Sequence, residues 1–116
     1  SLAMHTGPDV PLSALLDTYL SEGHRANPEQ GCPLPTISAE LGQRGQQSEI
    51  TDEVVRDRLN NIAGKLSGED SRAEAMLVLS AMVGALLLSR SVNDEALGTE
   101  LLSTTREQLK VLTESA

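Results

Sequence analysis

The side chains able to do chemistry are few: one cysteine, two histidines and one tyrosine in 116 residues. Cys32 stands just before Pro33 and Pro35, where a short helix is expected to open. A helix N-terminus stabilises thiolate, which makes such a cysteine a candidate sensor of electrophiles or oxidants. The other reading of Cys32 is a small buried hydrophobe, the usual state of a free cysteine. His24, at a helix end, either offers a hydrogen bond to a ligand from a pocket rim or acts as a cap or surface residue. Tyr19 is either a pocket contact or part of the core. His5 falls in an expected tail of residues 1–10, so no second histidine shares a metal-ligand spacing with His24, and no metal or other cofactor is expected. The serines lack an elbow motif and a histidine at workable spacing, and there is no Gly-rich phosphate loop, so no enzymatic activity is expected.

These residues must be positioned by helices. The chain lacks Phe and Trp, so its core is built from Leu, Val, Ile, Met and Ala. Straight-chain residues lose little freedom in a helix, and runs of aromatic or β-branched residues that would favour a sheet are missing. Leu12, Leu15, Leu16, Tyr19 and Leu20 keep the i, i+3, i+4, i+7, i+8 spacing of one helical stripe, after Pro8, Asp9 and Pro11 and ending near Gly23. "GHRANPEQGCP" (23–33) is expected as a loop. Leu34, Ile37 and Leu41 mark a short second helix that Gly42 stops. "QRGQQSE" is a second loop. The third helix is expected to be capped by Thr51 and stapled by Ile50 onto Val55, with Val55, Leu59, Ile62 and Leu66 as its stripe and Gly68 as its end. Ser71 with Glu74 has capping-box spacing for a fourth helix. Asn93 is the expected cap of a fifth, whose apolar face is Leu97, Leu101, Leu102, Thr105, Leu109 and Leu112. The expectation is one all-α domain of five helices over residues 11–114.

The net charge of −8, with the basic residues scattered, disfavours nucleic-acid binding by this chain. One cysteine excludes an internal disulfide framework and fits a reducing cytoplasm. The opening SLAMHTG has no apolar h-region of a signal peptide. From Ala75 to Leu88 there are fourteen positions without a charge, shorter than the roughly 20 apolar residues of a membrane span. No membrane association is therefore expected. The fourth helix is nonetheless apolar on two sides. Met76, Leu79, Val83 and Leu86 lie on one, and Leu77, Ala81, Gly84, Ala85 and Leu88 on the other. Either the remaining helices sheath it, or the side rich in small residues is sealed by a second copy, because a large exposed apolar patch is rare on a monomer. The expected seam comprises Ala81, Gly84, Ala85 and Leu88 with Leu97, Leu101, Thr105 and Leu109.

"YLSEGHRANPEQGCPLPTISAEL" (19–41) followed by "AMLVLSAMVGALLLSRSVNDEALGTELL" (75–102) resembles the C-terminal half of TetR/AcrR-type transcriptional regulators. The resembling features are His24-Arg25, Asn27-Pro28, Gly31-Cys32-Pro33, Val83-Gly84-Ala85-Leu86, Ser89-Arg90 and Val92-Asn93-Asp94. The resemblance implies a helical domain that binds a small hydrophobic effector and forms a homodimer through a four-helix bundle made by its last two helices. It implies a repressor, with operator DNA bound only through an N-terminal domain that this chain lacks. The residues it points to for the effector are Leu15, Tyr19, His24, Cys32, Ile37, Leu41, Val55, Leu59, Ile62, Met76, Leu79 and Val83. A helical protein-interaction module without a small ligand is the alternative. An acidic carrier protein is a weaker one: Asp70-Ser71 resembles its attachment site, but Arg72 follows where carriers place an apolar residue.

Overall fold

Leu12, Leu15, Leu16 and Tyr19 recur every third or fourth residue, and in the computed structural model all four are buried along one face of helix α1 (Leu12–Tyr19). The structure describes residues 11–26, 49–66 and 68–114. Among them lie four further helices: α2 (Glu22–Ala26), α3 (Glu49–Gly64), α4 (Ser71–Ser91) and α5 (Glu95–Glu114). The described residues contain no strand. The all-α expectation holds for the described residues, with one correction to where the helices lie. Residues 23–26, expected as loop, belong to α2, while the expected helix at 34–41 lies outside the described residues.

Helix starts also differ from the sequence reading. α3 begins at Glu49, so Thr51 sits inside the helix rather than capping it, and it ends at Gly64 rather than Gly68. α4 has Asp70 as its N-cap with no side-chain cap hydrogen bond, so Ser71 and Glu74 do not form a capping box. One Glu74 carboxylate oxygen is instead buried without a hydrogen-bond partner. At α5 the cap is Asp94, one residue after Asn93: its carboxylate accepts from the backbone N–H groups of Ala96 (2.9 Å) and Leu97 (3.3 Å). That satisfies two of the four N–H groups every helix start leaves open.

α4 packs along both α3 and α5 and also touches α1 and α2, so it is the shared partner of every other described helix. Ala75, Val78, Leu79, Met82, Ala85, Leu86 and Ser89 form its buried face. The apolar members of that face share one core with Leu12, Leu15, Leu16, Tyr19 and Leu20 from the first segment, Leu59 and Ile62 from α3, and Leu102 and Leu109 from α5. Among the described residues α4 is the one helix long and apolar enough to cross a membrane, by length and composition only. Its buried face is committed to this core.

Candidate functional site

α2 has five residues, too few to be stable alone, because helix nucleation is costly and shorter isolated helices are marginal. Its position is set by an exchange of caps with α4. Arg90, at the end of α4, donates from Nη2 to the His24 carbonyl (2.7 Å) and from Nε to the Arg25 carbonyl (3.2 Å). Arg25 returns the arrangement, donating from Nε to the Ser89 carbonyl at 2.9 Å. Helix C-termini leave carbonyls open and carry partial negative charge, so each guanidinium sits where a cation is favoured. His24-Arg25 and Ser89-Arg90, about 65 residues apart, thus form one structural unit.

Carboxylates complete this corner. Arg25, with a side chain only 10% exposed, is 3.2 Å from Glu22 and 3.1 Å from Glu95. The Thr99 hydroxyl donates to Glu22 at 2.8 Å, and this bond, with Arg25 adding to it against the opposing effect of burial, holds the Glu22 carboxyl below its ordinary range. Gly98 makes the approach possible, since a Cβ there would collide with the Arg25 guanidinium. An open cleft of about 450 Å³ lies alongside, lined by Glu22, Arg25, Ala26, Arg90, Val92 and Glu95.

Gly98→Ala tests this packing. Alanine is worth about 1 kcal/mol more than glycine in a helix interior, whereas a hydrogen bond from a charged donor contributes about 1.5–3 kcal/mol. Displacing Arg25 from the Ser89 carbonyl is therefore expected to win. The variant should lose about 0.5–2 kcal/mol in urea denaturation. A gain in stability would show that the guanidinium simply moves aside.

The residues expected at an effector pocket divide into three groups. Leu15, Tyr19, His24, Leu59, Ile62 and Leu79 are buried, and Val55 and Val83 pack partly buried against the same core. Met76 is exposed on α4, pointing away from that interior. Cys32, Ile37 and Leu41 lie outside the described residues. None of the buried group lines the 450 Å³ cleft, whose Arg25, Arg90, Glu22 and Glu95 went unrecognised as a unit in the sequence. The adjacency of His-Arg and Ser-Arg pairs was visible there; their meeting was not.

The expected seam residues also divide. Ala85 and Leu109 are 6% and 5% exposed within one chain, so both belong to its core and not to an outer surface. The remaining α4 positions keep an outward stripe: Leu77, Ala81, Gly84 and Leu88 follow at spacings of four, three and four. Leu77 is 55% and Leu88 53% exposed, Ala81 is partly buried and also packs against the core, and at partly buried Gly84 a Cβ would meet nothing within 4 Å. On α5, Leu97 is exposed and Leu101 and Thr105 are half-buried. With Glu100 and Thr104 they line a groove of about 240 Å³.

No family model, curated protein sequence or solved structure matches this chain.

Proposed function

We propose that this chain is the effector-binding and dimerisation domain of a TetR-type transcriptional regulator, a repressor released from operator DNA by a small hydrophobic ligand. The observation that carries this reading is the outward stripe Leu77, Ala81, Gly84 and Leu88 on a helix already packed against every other described element. Apolar side chains at coiled-coil spacing, separated by small residues, suit close approach of a second helix. The groove along Leu97, Leu101 and Thr105 offers a second helix for the same contact. In this reading the seam of each subunit is built from α4 and α5, and operator DNA is engaged by residues outside this chain. The chain's net charge of −8 accords with that division of labour.

Effector action follows from how the core is filled. Leu15, Tyr19, Leu59, Ile62 and Leu79 pack on one another. A hydrophobic ligand acts by binding a spread arrangement of α1, α3 and α4 better than the closed one; equal affinity for both would shift nothing. Because α4 also carries the seam stripe, its displacement reaches the second subunit. The closed packing favours one rival: a helical interaction module that joins two chains and takes no ligand.

Native mass spectrometry of the purified chain separates these readings. The expected result is a dimer that retains an apolar molecule or acquires one from a panel of hydrophobic compounds. A ligand-free dimer indifferent to the panel leaves the interaction module. A chain that stays monomeric at about 100 µM, corresponding to association weaker than roughly 5.5 kcal/mol, overturns the proposal.

A further inference from the structure

We infer that His24 is an acid-sensitive latch, holding α2 in the corner of α1 and α4 while its imidazole is neutral and releasing it on uptake of a second proton. This goes beyond the effector reading and does not depend on it. The geometry defines the tautomer. His24 Nδ1 lies 2.8 Å from the Tyr19 carbonyl, which can only accept, so Nδ1 carries the hydrogen. Nε2 then holds the lone pair, and it is buried with no hydrogen-bond partner. The ring meets Tyr19 edge to face, centroids 4.7 Å apart at 75°, in an environment that suits a neutral ring.

A proton on Nε2 would place a charge on an atom that is buried without a hydrogen-bond partner, and a cation among cations. The charged groups around the corner come from four helices. α4 contributes Arg90, whose guanidinium is bonded to the backbone carbonyl of His24 itself. α2 contributes Glu22 and Arg25, and α5 contributes Glu95, with both carboxylates already engaged on Arg25. α5 also places Arg106 on the Leu20 carbonyl, beside the end of α1, where it pairs with Asp17. α1 itself offers His24 a backbone carbonyl, and that acceptor is already used by Nδ1. Among the described residues no carboxylate is placed to receive the new N–H.

Burial lowers the His24 pKa from 6.5, and the Arg90 charge adds to this, opposed by the bond to the Tyr19 carbonyl. A depressed base stabilises the closed corner fully above 6.5, the value of the freed side chain, and that stabilisation is lost as pH falls below it toward the folded value.

Two measurements decide it. In an NMR titration of the ring protons, with His5 assigned through His5→Gln, His24 is expected to titrate below 6.5. Amide exchange supplies the second, read at Arg25, whose N–H bonds the Ser21 carbonyl at 3.0 Å, and at Val92, just past the end of α4, whose N–H bonds the Leu88 carbonyl at 3.1 Å. Their protection, corrected for intrinsic exchange, should fall by up to about tenfold per pH unit below 6.5. His24→Asn keeps a donor for the Tyr19 carbonyl but does not titrate, and should remove that dependence. Parallel loss of protection in the parent and His24→Asn would overturn the latch. So would a His24 that titrates at or above 6.5, a result that stands even where the variant fails to fold.

Discussion

Gly84→Arg is expected to convert the proposed dimer, of about twice 12.3 kDa, into a monomer that keeps its helices. Within one chain the substitution is benign, because a Cβ at Gly84 meets nothing within 4 Å and arginine is the better helix former by about 0.5–1 kcal/mol. Across the proposed two-fold seam the same change enters twice, setting two guanidiniums against each other. Where they cannot reach water, the cost is on the order of several kcal/mol. Light scattering reports the mass, and far-UV circular dichroism reports the fold. A variant that stays dimeric would move the contact off the Leu77, Ala81, Gly84 and Leu88 stripe. Unfolding without loss of mass would mean that Gly84 is needed inside the subunit.

The second large effect lies on the opposite side of the same helix. Leu86 is fully buried against the shared core, while Leu88, two residues on, is more than half exposed. Leu86→Ala removes most of a side chain from a packed interior and is expected to cost about 2–5 kcal/mol. That is a large part of the roughly 5–15 kcal/mol that stabilises a domain of this size, and it should lower the melting temperature by 10 °C or more. Leu88→Ala should leave the melting of the dissociated chain within about 0.5 kcal/mol of the parent while weakening self-association. Thermal melts at low protein concentration, paired with mass at high concentration, separate the two. If Leu88→Ala destabilises the monomer as much as Leu86→Ala does, the assignment of faces on α4 is wrong.

What the sequence disclosed, and what it hid, follows the range of the interactions involved. The stripe of α1 was legible because Leu12, Leu15, Leu16 and Tyr19 carry their burial in their spacing. α2 was hidden, since Gly23 and the Asn and Pro after Ala26 read as a loop. Its helical turn depends on Arg90, 65 and 66 residues further along the chain from the carbonyls it holds, through bonds that no local pattern announces. The caps of α4 and α5 shifted by one residue, as helix starts do, and Asp94 displaced Asn93 because its carboxylate reaches two backbone N–H groups. On α4 the wheel grouped Ala85 with Ala81, Gly84 and Leu88. Ala85 lies on the border of that face, and the packed neighbours, absent from any one-helix pattern, draw it into the core. Leu109 follows the same rule on α5.

The exchange of caps between Arg25 and Arg90 has a consequence for how the molecule comes apart. The Ser89 carbonyl at the end of α4 and the His24 and Arg25 carbonyls of α2 each accept from an arginine of the other segment. Neither can fray while the other remains intact without stranding a guanidinium, so the usual gradual loosening of a helix end is suppressed. The two segments are therefore expected to open together, residues 22–26 with 89–92, despite the long stretch of chain between them. In folding, that same pairing is a contact of high sequence separation, closed only after α4 exists. The corner is therefore expected to be among the last parts of the domain to assemble and among the first to open.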